Sequence, residues 1–558
     1  MKYGIGRIGR WIAAGILAAI CFAVSEARAE TEIRAGCPSR CPETVISRKD
    51  KLYIPGSWDI SRITLEADGS DILYLGDEKR EIRPGEESDL TGYPGRKVPV
   101  YNQNKRMIAT LMIYQGSEIP SLFITVDGGE LKKVNSSKEN VITRGRAVYE
   151  EADGTVSYDG GIAQLKGRGN NTFSYSKKPY QIKLENKAAL SGMAKAKTWV
   201  LLANWNDVSL LRNQIVLDIS REAGMRYALS CVQADVWING SYNGLYLMTE
   251  KAQIQKGRME LRDLEEETEA LNAEAPGSYP RKKLETADLP LIRGYQIPEN
   301  PEDITGGYIA VIEKRYRLKS NPEAGFRTRY ELSIQIKEPT YPSMEQVQYL
   351  GNLVFEMQDA AAAGDGISAK SGKHYSEYMD ISSFALKFLI EDWCKNYDYI
   401  SGSQFLYKDS DDRDPLIYAG PAWDYDLSFG NMRDKGYQPT GDYVVKNTQK
   451  YNLYWLLSRH GEFMDRVREI WQKQFRPAAA VLTGEAEPTA DSVLRSLDDY
   501  AESIRKSAAM NTARWGVPKT TSGTAGSNFD QAVVYLKKWI ASRTSYMDSV
   551  YGYTEKHE

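Results

Sequence analysis

The residues best suited to chemistry lie in Gly420–Asn431, GPAWDYDLSFGN. Asp424 and Asp426 stand two apart in an apolar and aromatic run that Phe429-Gly430 closes. An apolar run between Gly/Pro punctuation reads as a buried strand or strand end. The two-residue period of a strand then puts both carboxylates on one face. Two unpaired carboxylates repel each other and are costly to bury. A hard divalent cation removes both costs, and carboxylate oxygen is what Mg²⁺ prefers. A lone Asp-x-Asp more often marks a turn in which Asp caps backbone N–H groups. The aromatic run and the Phe-Gly ending put the metal reading first here.

Two further clusters complement the pair. Arg168 lies in the basic turn Lys166-Gly167-Arg168-Gly169-Asn170, where glycines let backbone N–H groups approach an anion closely. Lys183 lies in the strand-like YQIKL with Gln181 on its face, which suits a lysine aimed at phosphates and a neighbour lining a base pocket. For any one of these basic residues, as for Lys177 and Lys178 nearby, a solvated charge is at least as good a reading. The third cluster is KNYDYISGSQFLYKD, Lys395–Asp409, where Asp398 follows a helical pattern and precedes a strand. A loop there can present Asp398 to a substrate hydroxyl as general base; a turn aspartate is the plainer alternative. Lysine or arginine for phosphate, one carboxylate for base and two for metal make a minimal set for phosphoryl transfer from a nucleotide. No G-x-x-x-x-G-K-[ST] loop accompanies them.

The elements that must position these residues read as an α+β chain. Residues 30–117 form a β-rich module, sandwich-like, with alternating runs broken by Gly, Pro and Asp. Residues 118–435 form the core that carries all three clusters. Within it, SLFITVDGG is a strand and turn, and LLRNQIVLDISREAG is a helix ended by Gly224. ADVWINGSYNGLYLMTEK is a hairpin about Asn239-Gly240. Residues 265–303 are charged and aperiodic, an inserted loop or mobile arm. Met379–Asp392 is the strongest helix, with Asp380 as its N-cap. Residues 436–558 read as amphipathic helices packed on the core.

A chain of 558 residues can bury several cores, and its net charge of −3 gives no reason to expect nucleic acid or an anionic membrane as partner. Three histidines argue against His-rich zinc sites and weaken a Ser-His-Asp hydrolase. Lys2, Arg7 and Arg10 precede the apolar Trp11–Val24, and Ala27-Arg28-Ala29 fits a cleavage site, so residues 1–29 read as a signal peptide with Glu30 as mature start. An uncleaved anchor is the lesser alternative. The expected location is secreted or cell-envelope. In that oxidising setting Cys37 and Cys41 of CPSRCP can bridge, whereas a metal knuckle would lack its second pair; Cys231 and Cys394 read as buried thiols.

KGRGNNTF, KKPYQIKL, WVLLANWND, LLRN, NGSYNGLYLMTEK, GGYIAVIEK, KNYDYISGSQFLYKD and GPAWDYDLSFGN, in this order, resemble the spore-coat-protein CotH kinase family. The resemblance runs from about Ile119 to Asn431. It implies an atypical protein-kinase-like core that transfers phosphate from ATP to serine of a secreted or cell-surface acceptor protein, with Mg²⁺ or Mn²⁺. By it, Asp398 matches the catalytic aspartate. Asp426, helped by Asp424, matches the metal ligand, and Lys183 and Arg168 lie on the nucleotide phosphates. Glu250 orients one of these basic residues or lies near the base pocket. Where the family has an asparagine a few residues after its catalytic aspartate, this chain reads Ile400-Ser401-Gly402-Ser403-Gln404, so Ser403 or Gln404 would substitute. A non-catalytic surface or coat-like binding module on the same fold is the alternative, and a metal-assisted phosphoesterase is a third reading. The intact acidic set favours the kinase.

Overall fold

A computed structural model describes residues 31–38, 41–272, 290–313, 323–328, 332–400, 402–434, 436–443, 452–517 and 525–554. The predicted leader and residues 273–289 of the predicted insertion lie outside them. The chain divides into two compact units, Met1–Ile54 with Trp58–Tyr114, and Pro55–Ser57 with Gln115–Glu558.

The first unit is built of strands: β1 (Ile33–Cys37), β2 (Cys41–Ile46), β3 (Lys51–Ile54), β4 (Thr64–Ala67), β5 (Leu73–Leu75), β6 (Arg80–Ile82), β7 (Lys97–Tyr101) and β8 (Met107–Gln115). β1 pairs with β2 and β4, and β3-β8-β7-β5-β6 form a second sheet. Cys37 and Cys41 are register partners at the tip of the β1–β2 hairpin; the Cys41 side chain is outside the described residues.

The second unit begins with a sheet that closes on itself. Its elements are β9 (Ser121–Thr125), α1 (Gly128–Ser136), β10 (Val141–Ile142), β11 (Arg146–Glu150), β12 (Val156–Gly167), β13 (Tyr180–Ala188), β14 (Ala196–Leu202), α2 (Arg212–Glu222), β15 (Cys231–Ile238) and β16 (Ser241–Glu250). The order β14-β13-β12-β11-β9-β15-β16 is completed by pairing of β16 with β14. Only β9 and β15 run parallel. Closure removes the exposed sheet edge. The apolar alternates of β12–β14, among them Leu165, Ile182, Leu184, Trp199 and Leu201, fill one face. Gln164, Lys166, Gln181 and Lys183, register partners across β12 and β13, are left on the other. The β15–β16 turn is the predicted one, with φ of +50° at Asn239 and +73° at Gly240. The turn after β9 leads directly into α1, whose N-cap Asp127 accepts from Glu130 N.

A six-stranded antiparallel sheet follows, with α3 (Leu264–Leu271), β17 (Leu291–Arg293), β18 (Tyr308–Glu313), β19 (Gly325–Arg327), β20 (Ser333–Glu338), α4 (Met344–Ala362), α5 (Ile381–Cys394), β21 (Gln404–Lys408) and β22 (Ile417–Ala419). Its order is β17-β19-β20-β18-β21-β22. The predicted insertion therefore contributes structure at both ends: Asp263 caps α3, and β17 is an edge strand. α4 starts on a capping box of Ser343 and Gln346. α5 starts where predicted, on Asp380, and ends on Lys395 in the left-handed conformation.

The chain ends in α6 (Leu453–Leu457), α7 (Gly461–Ile470), α8 (Arg476–Thr483), α9 (Leu497–Trp515) and α10 (Phe529–Tyr551). α5 is buried between α7, α10 and β22. Its Asp392 accepts from Arg543 of α10 at 3.1 Å, both side chains being enclosed. Cys394 is fully buried, whereas Cys231 is half-buried against Asp218. No helix among the described residues is long and apolar enough to cross a membrane.

Candidate functional site

The acidic motif is not a strand. β22 stops at Ala419, and Gly420–Asn431 continues as irregular chain and tight turns. The expectation that strand alternation aligns Asp424 and Asp426 is corrected. Asp424 has φ of +72° and Phe429 +51°, conformations that non-glycine residues seldom adopt. It is this folded-back backbone that brings the carboxylates together. Asp398, Asp424 and Asp426 each offer an oxygen within 4.8 Å of the others. Asp426 is buried, while Asp398 and Asp424 are partly open to solvent, so the cluster is reachable.

Each carboxylate is set by a separate element. Asp398 opens a 3-10 turn (Asp398–Ile400) just after α5, and its backbone N–H donates to Asn396 Oδ1 at 3.1 Å. Asn396 Nδ2 reaches the Asp424 carbonyl at 3.4 Å. Ser403 Oγ donates to Asp424 Oδ2 at 3.1 Å. Gln404 turns the other way, to Glu391, so of the two candidates after Asp398 it is Ser403 that faces the carboxylates. Asn206, from the loop after β14, donates to Asp426 Oδ2 at 3.1 Å. Asn431 Nδ2 ties that loop to the motif through the carbonyls of Asn206 and Asp426. Asn213 of α2 accepts from the Tyr425 N–H at 2.7 Å.

Burial pushes Asp426 well above the usual carboxylate range, and the negative charges of Asp424 and Asp398 push it further; the Asn206 donor pulls it back in part. Three carboxylates that cannot comfortably ionise together are suited to a divalent cation. Oxygen-only ligands fit Mg²⁺ or Mn²⁺ better than zinc.

Arg168 adjoins this cluster. It lies over the Trp423 ring at 4.9 Å, and its Nη1 is enclosed without a hydrogen-bond partner. Burial draws its pKa down to about 10, against the pull of Asp424. Lys166, two residues back on β12, is lowered by burial and by the positive charges of Lys251 and Arg168. Lys251 in turn pairs with Glu338 at 3.4 Å. A desolvated cationic strip thus begins beside the acidic cluster, and an anion would relieve it.

The remaining residues fall elsewhere. Lys183 is exposed on β13, opposite Gln164 and Thr198, and shares the Lys166 face without a charged partner among the described residues. Gln181 is half-buried and contacts Gln164. Glu250 orients neither Arg168 nor Lys183. Its carboxylate pairs with buried Arg258 at 3.4 Å and accepts from Ser230 N at 3.0 Å. Sequence reasoning passed over Asn206, Asn213, Asn396, Trp423 and Lys166. For Asn206 and Asn213 the signal was the amide side chains set in the apolar WVLLANWND and LLRN stretches.

The CotH kinase protein family profile matches residues 165–547. The chain belongs to the CotH kinase family. The match opens at Leu165 on β12, takes in Arg168 and the acidic cluster, and closes at Met547 in α10. It therefore includes the terminal helices, which lie beyond the stretch where the sequence resemblance was traced. Comparison with curated proteins returns no match. Membership makes a kinase-like function the coarse reading, and kinases of any kind use a nucleotide and a divalent metal.

Proposed function

We propose that this chain is an exported protein kinase that transfers the γ-phosphoryl group of ATP, with Mg²⁺ or Mn²⁺, to serine hydroxyls of secreted or cell-surface proteins. The observation that carries the proposal is the gathering of Asp398, Asp424 and Asp426 within 4.8 Å beside the enclosed guanidinium of Arg168. Export rests on the leader-like residues 1–29, and serine specificity on the family resemblance.

Asp424 and Asp426 would hold the cation, which, when bound, offsets charge on the phosphate oxygens. Arg168, with Lys166 behind it, would neutralise the polyphosphate, and its enclosed Nη1 has a donor that no group among the described residues claims. Lys183 stands further along the same face, where it would meet the distal part of the nucleotide. Asp398 is the choice for general base, because it sits in a turn and is partly open. The serine oxygen attacks the γ-phosphorus as the bond from phosphorus to the β–γ bridging oxygen breaks. The hydroxyl proton passes to the Asp398 carboxylate, and ADP leaves with the electron pair of the broken bond.

The test is phosphate transfer by the mature chain from γ-labelled ATP, with Mg²⁺ or Mn²⁺, to a serine-rich acceptor. Label is expected on serine with the parent and not with Asp398→Ala or Asp426→Ala. Absence of label together with absence of any nucleotide-induced rise in melting temperature would overturn the proposal and favour a binding module on this fold.

A further inference from the structure

Beneath the acidic motif lies a second polar cluster. α5 carries Lys387 and Glu391 one turn apart, and neither side chain has any exposed surface. The Lys387 ammonium bonds to Glu391 Oε1 and donates to the Tyr425 hydroxyl at 2.7 Å. That hydroxyl donates to Glu391 Oε1 at 2.7 Å, and Gln404 Nε2 donates to the same oxygen at 3.1 Å. Tyr425 is itself fully buried, and it is the residue between Asp424 and Asp426.

A buried ion pair is a poor stabiliser. Removing two charges from water costs about as much as their attraction returns, and apolar side chains of similar volume often do as well or better. What such a pair does supply is a single geometry. Here the geometry has an evident object. Tyr425 is held at both ends, its amide by Asn213 of α2 and its phenol by Lys387 and Glu391 of α5, and Gln404 of β21 holds Glu391 in turn. The residue before it is kept at φ +72°, a conformation that persists only where its surroundings over-determine it. The spacing of Asp424 and Asp426 is therefore dictated by a bolt made from three elements.

We infer that Lys387, Glu391 and Tyr425 are positioning residues: they fix the spacing of the Asp424 and Asp426 carboxylates for a hard divalent cation with a nucleotide polyphosphate. The inference rests on the phosphoryl-transfer reading for the identity of that ligand. Lys387 also cancels the charge of Glu391, so the bolt adds no further negative charge under three carboxylates.

Two variants of the full mature chain test it. Tyr425→Phe keeps the ring and deletes the hydroxyl. The double variant Lys387→Met, Glu391→Leu replaces the ion pair with apolar groups. Binding of Mn²⁺ in the presence of a non-hydrolysable ATP analogue is read from the loss of the free Mn²⁺ resonance, and folding from melting in EDTA. Both variants are expected to bind Mn²⁺ roughly 10-fold or more weakly, the usual effect of losing an outer partner of a metal ligand. Both are expected to melt near the parent. Parent-like Mn²⁺ affinity in the two variants, with or without a lower melting temperature, would overturn the inference and leave the network a packing feature. Absence of Mn²⁺ binding by the parent would instead overturn the phosphoryl-transfer reading, and this inference with it.

Discussion

Asp207 and Asp426 are both buried carboxylates anchored to the loop after β14, and their surroundings are opposite. Asp207 accepts from Ser209 N at 2.9 Å, Ser209 Oγ at 2.6 Å and Arg212 N at 2.9 Å, and it pairs with the Arg212 guanidinium. Among the described residues Asp426 accepts from Asn206 alone, and the charges of Asp424, Asp398 and Asp207 all press on it. One site answers the cost of burial completely within the chain, whereas the other leaves it standing. On the proposed reading the difference separates a structural acid from a functional one, and it does so by counting donors rather than by burial, which the two share.

The largest expected effects come from exchanging the two treatments. Asp398→Asn is expected to lower phosphoryl transfer about 10²- to 10⁴-fold, the range of a general base, with little change in melting temperature. Asp207→Asn is expected to destabilise the fold by about 3–5 kcal/mol, because it strands the buried Arg212 charge; chemical denaturation checks it. A folded, fully active Asp207→Asn chain would break the comparison. On the cationic side, Arg168→Met is expected to raise the KM for ATP roughly 10-fold or more, as the loss of a charged hydrogen bond does. Lys166→Ala should have a smaller effect, and Lys183→Ala the smallest of the three. An inverted order would move the phosphate strip along β13.

A further expected effect is on pH dependence, at a third buried acid. Burial holds Asp218 at about 6 against its ordinary 3.8, although Tyr500 OH donates to it at 2.8 Å. Between those values the folded chain binds more protons than the unfolded one. Stability due to this group is therefore fully present below pH 3.8 and is lost as pH rises through 6, by at most about 3 kcal/mol. Asp218→Asn is expected to flatten that part of the denaturation profile between pH 4 and 6.

How legible these features were in the sequence depended on how local their causes are. The β15–β16 hairpin and the start of α5 were readable because Asn239-Gly240 and Asp380 act within a few residues of themselves. The grouping of Asp424 with Asp426 was readable from composition, since two acids in an aromatic run need a partner. Their conformation was not, because the left-handed turn at Asp424 is imposed by α2, α5 and β21 rather than by its neighbours in the chain. Strand alternation placed Lys183 and Gln181 on one face correctly. It could not say that Arg168 and Lys251 would crowd Lys166, as those contacts depend on how β12 and β16 close the sheet. Glu250 was drawn to the wrong partner for the same reason: Arg258 folds back onto it from the loop after β16.

The central claim is that the Asp398, Asp424 and Asp426 carboxylates are gathered in order to take a cation. Thermal unfolding of the parent and of Asp426→Asn, each in EDTA and in Mn²⁺ with a non-hydrolysable ATP analogue, tests it most directly. The account expects Asp426→Asn to melt at or above the parent in EDTA, since repulsion is relieved, and the parent alone to gain stability when Mn²⁺ and the analogue are added. A variant that melts well below the parent in EDTA, beside a parent indifferent to Mn²⁺ and nucleotide, would contradict it.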